Sequence, residues 1–205
     1  MRGMILAAGR GERMGVLTQN TPKPLLKVRG RYLIEHAIQS FKEAGIHEIV
    51  INVSYLKEKI MEAIGDGSRY GVKITYSIEE ERLETGGGIV KALPLLGSEP
   101  FVVYSADVIT DYPLAELFKK SLKLAHLILV KHPAYSPDFY LNGEAYTFAS
   151  LGIYHPDLFK GHLPVYSRLP DIWQEAIKNN QVTGEFYSGL WYNVGSPQEL
   201  NSLAT

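Results

Sequence analysis

The chain has 205 residues, a formal net charge of −1 and no cysteine. Its length suits one domain with a sizeable core, and the lack of cysteine excludes disulfides, thiolate metal sites and cysteine nucleophiles. The charge balance gives no indication of a nucleic-acid groove or a membrane-attracting surface, and no apolar run reaches the roughly 18 residues of a membrane span. We therefore expect a single cytoplasmic domain, residues 1–205, without nucleic-acid or membrane partners. The oligomeric state is left open, and a monomer is compatible with the sequence.

Apolar periodicity and glycine stops predict alternating strands and helices. In chain order they are strand 4–8, helix 31–44, strand 48–53, helix 57–64, strand 72–78, helix 89–93, strand 101–104, helix 114–122, strands 124–130 and 146–154, a helical turn at 155–159, helix 169–178, strand 182–186 and helix 197–203. Such alternation is typical of parallel βαβ units, so we predict an α/β fold with a Rossmann-like, doubly wound, mostly parallel sheet. Ligands of these sheets bind at the carboxyl ends of the strands.

A glycine-rich turn follows the first predicted strand. Gly9 and Gly11 interrupt the apolar run, and Arg10 and Arg13 lie within the break. Backbone N–H groups in such a turn can bind phosphate oxygens, and arginine adds charge-assisted donors. A tight surface turn with solvated arginines explains these residues equally well, because the pattern is neither the dinucleotide fingerprint nor the P-loop.

A lysine lies between two prolines shortly afterwards. Pro22 and Pro24 restrict the backbone on either side of Lys23, so the ammonium group is presented from a stiff loop. Further along, residues 79–88 are predicted to form a loop that ends in three glycines. Glycine allows close approach by a flat ligand, and the exposed backbone could read the edge of a nucleobase. The alternative is a flexible loop capped by Thr85.

A carboxylate follows the predicted strand 101–104. Asp107 would lie at the carboxyl edge of the sheet, where it could hold Mg²⁺ together with phosphate and water oxygens. An aspartate after a strand is also a common turn residue, so the position alone does not decide between the two interpretations.

Together these motifs resemble the sugar-1-phosphate nucleotidyltransferases. Leu6-Ala7-Ala8-Gly9-x-Gly11-x-Arg13 is similar to the triphosphate-binding loop of that family, and residues 21–25 are similar to its lysine motif. Residues 84–88 resemble its base- and ribose-binding loop, in the form found in the uridylyltransferase branch. The resemblance implies that Arg13 and Lys23 are catalytic. It also implies a set of nucleotide-binding residues, namely Leu6, Ala8, Gly9, Gly11, Arg13, Glu84, Gly86 and Gly87.

The resemblance also implies a Mg²⁺ cofactor held by Asp107 and Asn193. The family usually has Asn-Gly-Asp where this chain has Ser105-Ala106-Asp107, and Trp-x-Asp-Ile/Val-Gly-Thr-Pro where this chain has residues 191–197 with Asn193 as the third. Because asparagine brings no charge, we expect weaker metal binding or a different coordination arrangement. Residues 131–139 resemble the acceptor loop of the uridylyltransferase branch, which implies that Asp138 and Phe139 bind the sugar phosphate.

The implied reaction transfers a nucleotidyl group from a nucleoside triphosphate to a sugar 1-phosphate, with release of pyrophosphate. UTP and N-acetylmuramate 1-phosphate are the expected substrates, in peptidoglycan recycling. Thymidylyl or guanylyl transfer to a hexose or heptose 1-phosphate is the first alternative. A catalytically weak nucleotide-binding regulator is the second. We expect a nucleotide-binding part at about residues 1–110, a sugar-binding part at about 111–205, and no C-terminal β-helix.

Overall fold

The computed structural model describes residues 1–133, 135–141 and 143–204, so Ala134 of the predicted acceptor loop lies outside the described residues. Its strands and helices, in chain order, are β1 Arg2–Leu6, β2 Lys27–Val28, β3 Arg31–Tyr32, α1 Leu33–Glu43, β4 Glu48–Val53, α2 Lys57–Ile64, β5 Lys73–Ile78, α3 Glu84–Leu96, β6 Phe101–Ser105, β7 Val108–Thr110, β8 Ala125–Val130, β9 Phe139–Leu141, β10 Glu144–Tyr154, α4 Leu169–Lys178, β11 Val182–Phe186, β12 Trp191–Asn193 and α5 Pro197–Ala204. Short 3₁₀ turns lie at Glu12–Thr18, Lys23–Leu25, Ser68–Tyr70, Leu114–Lys119 and Pro156–Phe159.

The central sheet has the order β11-β8-β10-β6-β1-β4-β5, and β9 pairs with β10 outside this row. Strands β6, β1, β4 and β5 are parallel to one another. Strand β10 runs antiparallel between β6 and β8, while β11 is parallel to β8. The predicted α/β class with a mostly parallel sheet is confirmed, and no β-helix occurs among the described residues.

Helices cover both faces of this sheet. Along β1, Met4 and Ile5 point to opposite faces, because side chains alternate in a strand. Ile5 packs in a cluster with the apolar side of α1 and α2, whereas Met4 packs with α3 and α4. This doubly covered sheet explains why the central strands are apolar throughout.

The segment at residues 79–96 differs from its prediction. A loop over residues 79–88 and a helix over 89–93 were expected, but α3 begins at Glu84 and continues through Pro94 to Leu96. Glycine has a low intrinsic helix propensity, and here tertiary packing overrides it. Gly86, Gly87 and Gly88 are all buried, each directly beneath other parts of the chain.

Several short elements were not predicted. Residues 29 and 30 both have positive φ and form the tight turn of the hairpin β2–β3, so α1 begins two residues later than expected. The expected helix over residues 114–122 is only a 3₁₀ turn at Leu114–Lys119. Strands β7 and β12 form a separate antiparallel pair, too short to show a periodic pattern in the sequence.

Candidate active site

A cavity of about 670 Å³ opens at the carboxyl ends of β1, β4, β5 and β6. Most of the candidate site residues identified from the sequence line this cavity, and they come from four separate parts of the chain. Those that line it are Leu6, Ala8, Gly9, Gly11, Arg13, Lys23, Glu84 and Asp107. Gly86, Gly87, Asp138, Phe139 and Asn193 are not among its lining residues.

The glycine-rich loop enters the cavity directly from β1. The strand ends at Leu6, whose carbonyl accepts a hydrogen bond from the N–H of Ala106 at 3.0 Å, which ties this loop to the turn after β6. Gly11 has φ +66°, and a Cβ there would lie 3.0 Å from Cβ of Lys23. Both the backbone conformation and the close approach of Lys23 therefore favour glycine at this position.

The 3₁₀ turn after this loop is fixed by the C-terminal segment. Met14 is fully buried in a small apolar cluster with Val194 and Leu203. Thr18 Oγ1 donates a hydrogen bond to the carbonyl of Gly11 at 3.0 Å. Residues near the end of the chain therefore support the glycine-rich loop. The sequence motifs did not indicate this contact.

Lys23 and Asp107 form a partly buried ion pair in the cavity wall. Lys23 opens the 3₁₀ turn Lys23–Leu25, and its ammonium group contacts Oδ2 of Asp107. Ser105 Oγ donates a hydrogen bond to Oδ1 of the same carboxylate at 2.5 Å. Both carboxylate oxygens therefore have partners, and Lys23 is placed to exchange its carboxylate partner for a phosphate oxygen.

Arg13 lies against the backbone of Gly195. A Cβ on Gly195 would be 3.1 Å from Nη2 of Arg13, so a larger residue there would press on the guanidinium. Glu199 holds this turn by accepting hydrogen bonds from the N–H of Gly195 at 2.8 Å and the hydroxyl of Tyr135 at 2.7 Å. Burial opposes ionisation of Glu199, but hydrogen bonds from Tyr135, Ser196 and Gly195 outweigh it and lower the pKa of Glu199.

Asn193 lies beside Asp107 through the β7–β12 pair. The N–H of Val194 donates to the carbonyl of Asp107 at 2.8 Å. Oδ1 of Asn193 is buried and has no hydrogen-bond partner within the described part of the chain. A buried, unpartnered amide oxygen is a donor that a hard cation accepts, and the backbone bond between Val194 and Asp107 ties its strand to the carboxylate-bearing turn, so the donor chemistry of these residues is compatible with Mg²⁺. No group of three or more His, Asp or Glu side chains that could hold a metal occurs in residues 1–133, 135–141 and 143–204. Phosphate and water would therefore have to complete the coordination.

A buried polar pair supports the glycine-rich loop from the β4–β5 side. Asn52 Oδ1 accepts from the N–H of Ala7 at 2.8 Å, and Asn52 Nδ2 donates to Oε1 of Glu79 at 2.7 Å. Burial raises the pKa of Glu79. Sequence reasoning missed both residues, although a lone asparagine in the apolar strand EIVINV was an available signal.

The glycines at the start of α3 face other parts of the protein. The N–H groups of Gly86 and Gly87 donate to the carbonyl of Ser167 at 2.9 and 3.1 Å. A Cβ on Gly87 would lie 2.0 Å from the carbonyl oxygen of Val165, and one on Gly88 would lie 2.6 Å from Oε1 of Glu79. A nucleotide could use these amides only if Ser167 released them, so their nucleotide-binding role stays a prediction.

Asp138 and Phe139 lie behind the cavity wall. Oδ1 of Asp138 accepts from the N–H of Phe148 at 2.6 Å, and the ring of Phe139 packs edge-to-face on Trp173 at 6.4 Å. Phe148 and Trp173 themselves line the cavity. The sequence did not identify Phe148 or Trp173 as cavity residues, because Phe148 lies within an ordinary strand and Trp173 within an ordinary amphipathic helix.

Comparison with known proteins gives consistent results. The nucleotidyl transferase family model matches residues 2–138. An N-acetylmuramate alpha-1-phosphate uridylyltransferase of Neisseria meningitidis serogroup B is 44% identical, with 96% of this chain and 94% of that protein covered. A mannose-1-phosphate guanyltransferase of Yarrowia lipolytica is 41% identical over 57% of this chain and 33% of its own length. A solved Bacillus anthracis structure, described as a candidate glucose-1-phosphate thymidylyltransferase in complex with sucrose, covers 100% of this chain and 95% of its own with a TM-score of 0.90 at 23% identity.

The fold and the cavity are those of an α/β enzyme that binds phosphorylated ligands at the carboxyl edge of a mostly parallel sheet. The chain belongs to the nucleotidyl transferase family. The resemblance to the sugar-1-phosphate nucleotidyltransferases, stated from the motifs, is confirmed. In the described residues, every helix is too short or too polar to cross a membrane.

Proposed function

We propose that the protein transfers a uridylyl group from UTP to N-acetylmuramate 1-phosphate and releases pyrophosphate. The observation that carries this proposal is the single cavity that gathers the glycine-rich loop, Arg13, Lys23 and Asp107 at one edge of the sheet. The Neisseria uridylyltransferase, similar along nearly its whole length, supports the choice of substrates. A cytoplasmic location and a role in peptidoglycan recycling belong to the same proposal.

The reaction needs alignment and charge neutralisation more than covalent help from the protein. An oxygen of the sugar phosphate attacks the α-phosphorus in line, and the bond from that phosphorus to the pyrophosphate oxygen breaks. Arg13 and the N–H groups of Gly9 and Gly11 hold the departing β- and γ-phosphates. Lys23 neutralises charge at the α-phosphate. A general base is unnecessary because the attacking phosphate is already anionic at neutral pH.

Asp107 and Asn193 are the residues that would hold Mg²⁺. The ion supplies charge neutralisation between the two phosphorylated substrates when it is bound. Ser105 orients the Asp107 carboxylate through its 2.5 Å hydrogen bond. Leu6, Ala8 and Glu84 line the same cavity and complete the proposed nucleotide contacts, together with Gly86 and Gly87 once Ser167 releases their amides.

The sheet order suggests how the two substrates share the cavity. The phosphate-binding groups follow β1 and β6, in the middle of the lining strands. Asn52 and Glu79 lie on the β4–β5 side, and Phe148 lies on the β10 side. We place the nucleoside on the β4–β5 side and the sugar on the β10 side. The proposed placement assigns the nucleotide to the part at about residues 1–110 and the sugar to the part at about 111–205.

Two other functions have specific support. The guanyltransferase relatives favour guanylyl transfer to a hexose 1-phosphate as an alternative, and the Bacillus neighbour shares the fold. The neutral Asn193 favours a catalytically weak nucleotide-binding regulator. Against the regulator, Lys23, Arg13 and Asp107 all converge on the cavity, which a binding protein without turnover would not require.

Pyrophosphate release separates these functions. The purified protein is mixed with Mg²⁺, one nucleoside triphosphate at a time and a panel of sugar 1-phosphates that includes N-acetylmuramate 1-phosphate. Release is expected with UTP and the N-acetylmuramyl acceptor. Release with GTP or dTTP and a hexose acceptor would replace the proposed substrates. Tight nucleotide binding without release for any pair, with release restored by Asn193→Asp, would favour the regulator.

A further inference from the structure

Asn52 is a buried polar residue near the end of the otherwise apolar strand β4. It pairs in register with Leu6, where the paired residues of β1 and β4 end. One residue further along the first strand, the N–H of Ala7 donates to Oδ1 of Asn52 at 2.8 Å. The amide side chain therefore takes the place of a backbone carbonyl, and it fixes the direction in which the chain leaves β1 for the glycine-rich loop.

The other end of the same amide holds a buried carboxylate. Nδ2 of Asn52 donates to Oε1 of Glu79 at 2.7 Å, and Glu79 directly follows β5. Burial raises the pKa of Glu79, whereas the hydrogen bond from Asn52, the charge of Lys91 and the backbone of Leu83 act in the opposite direction. Burying a carboxylate is costly unless its hydrogen bonds are made, so the position of Glu79 depends on Asn52.

Helix α3 is packed closely against this pair. A Cβ on Gly88 would lie 2.6 Å from Oε1 of Glu79 and 2.9 Å from Nδ2 of Asn52. Neither side chain has room to move toward α3, and each is fixed by the other on the opposite side. The contacts from α3 through Glu79 and Asn52 to Ala7 form one continuous chain, which we call the Asn52 relay.

We propose that Asn52 is a positioning residue that couples the nucleoside side of the cavity to the glycine-rich loop. The proposal rests on the function proposed above and adds a connection between two parts of its site. A nucleoside held against the β4–β5 side fixes Glu79, and the relay then fixes the N–H of Ala7 and the loop that follows it. Because that loop holds the departing phosphates, the coupling should act mainly on kcat.

The substitution Asn52→Asp makes the relay sensitive to pH. It keeps an oxygen for the N–H of Ala7 but places a second carboxylate against Glu79. One shared proton preserves the hydrogen bond between the two groups, and its loss leaves two like charges in contact. We expect kcat relative to the wild type to fall by about 10- to 100-fold between about pH 6 and about pH 9.

Adding Glu79→Gln should reverse this loss. In the double variant the glutamine amide can donate to the new carboxylate, so the hydrogen bond is restored with its donor and acceptor exchanged. The double variant is compared with Glu79→Gln alone, which cancels any effect of the missing charge on the nucleoside. The two should have equal kcat across the pH range. Asn201→Asp, at an exposed position of α5, is the charge control and should follow the wild-type profile.

Nucleotide binding gives a readout that does not depend on turnover. Calorimetric titration with UTP and Mg²⁺, without an acceptor, should show an affinity for Asn52→Asp that is close to the wild-type value at about pH 6 and weaker by roughly tenfold at about pH 9. At the lower pH the variant has the shape and the hydrogen bonds of the wild type, so it should fold there. Urea unfolding at both pH values checks that the protein is folded.

A merely structural role for Asn52 has a different signature. It would lower stability at every pH, would leave kcat of the folded protein unchanged and would not be rescued by Glu79→Gln. That result, or wild-type kcat and UTP affinity for Asn52→Asp at about pH 9, would overturn the proposal while leaving the proposed reaction intact. Absence of turnover by the wild type with every substrate pair would reject the reaction instead, and the UTP titration would still test the relay.

Discussion

Basic and acidic side chains both line the cavity, and its phosphate end carries Arg10, Arg13 and Lys23. Lys23 and Asp107 neutralise each other, so Arg10 and Arg13 remain as cations of the glycine-rich loop, with Arg13 close to the backbone of Gly195. Asn193 adds a buried oxygen without adding charge. A free dication would have to compete with Lys23 for Asp107, so we expect the metal ion to bind together with a phosphorylated ligand that takes over Lys23.

Lys23→Ala should lower kcat by about 100- to 1,000-fold, the usual effect of removing one positioned electrostatic group from a reacting phosphate or oxyanion. The buried ammonium group is the cation that contacts Asp107, and no covalent step can compensate for its loss. Pyrophosphate release under saturating substrates measures the effect. The exposed Lys27, replaced by alanine, is the matched control and should retain wild-type turnover. A Lys23→Ala variant with near-normal kcat would contradict the proposed mechanism.

Asn193→Asp should strengthen metal binding by at least about tenfold, because it adds a second carboxylate to the single charge of Asp107. The measurement is Mn²⁺ binding by electron paramagnetic resonance in protein without nucleotide, which does not depend on activity. Asn179→Asp adds the same charge at an exposed position after α4 and should leave the affinity unchanged. If both variants bind Mn²⁺ like the wild type, Asn193 does not face the metal position.

Among the elements, α3 depends on close packing at its first turn. The segment 165–168 crosses this turn, and the N–H of Ser167 donates to Leu83 at 3.0 Å while its carbonyl accepts from Gly86 and Gly87. These contacts supply partners for amide groups that a helix start normally leaves without intrahelical bonds. Glycine is needed because the backbone of residues 165–168 occupies the space of any larger side chain.

Gly87→Ala should therefore destabilise the protein by about 1–3 kcal/mol, the range for inserting a methyl group where no space exists. The methyl group would collide with the carbonyl of Val165, which is backbone and cannot move by changing rotamer. Urea unfolding measures the loss. Gly9→Ala is the comparison, since no atom lies within 4 Å of a Cβ at Gly9, and it should unfold like the wild type while weakening nucleotide binding. Unchanged stability of Gly87→Ala would show that the segment 165–168 moves aside.

Many of the helices and strands could be predicted from the sequence, and the incorrect predictions have physical causes. Strand β4 and helix α2 match their predicted bounds because their apolar patterns are local and uninterrupted. The first turn of α3 was predicted as a loop because its three glycines are explained only by a segment some 80 positions away in the sequence. Likewise, Phe148 is an ordinary strand residue until the bulge of β10 turns it into the cavity. Motifs located the phosphate end of the cavity, whereas the acceptor end required tertiary structure.

In the whole molecule, the two predicted parts of the chain are joined at the cavity. Residues before 110 supply the loop and Asp107, and residues after 110 supply Phe148, Leu169 and Gly195. Met14 in the first part is buried against Val194 and Leu203 in the second. A ligand that bridges the cavity therefore contacts both parts. The boundary near residue 110 stays a prediction about which ligand each part binds.

Stability of the whole molecule should fall as the pH drops below about 6.5, the ordinary pKa of histidine, because His126 is buried in a neutral form. Burial lowers the pKa of His126, with Lys120 in the same direction and Glu185 opposing. Its Nδ1 lies 2.8 Å from Thr183 Oγ1, while its buried Nε2 is 3.8 Å from the nearest oxygen of Glu185, beyond hydrogen-bond range. The unfolded chain therefore binds a proton that the folded chain resists.

This histidine contributes a slope of at most about 1.4 kcal/mol per pH unit to the free energy of unfolding, lost as the pH falls toward its folded-state pKa. Urea unfolding between about pH 7.5 and about pH 5.5 should show that slope in the wild type and a shallower one in His126→Asn, which removes the titrating ring. Part of the slope should persist in the variant, because burial also lowers the pKa of His36. His162→Asn, at an exposed position, should follow the wild-type curve. Parallel curves for His126→Asn and the wild type would mean that His126 takes up its proton without disturbing the fold, and the pH dependence would then have to come from His36.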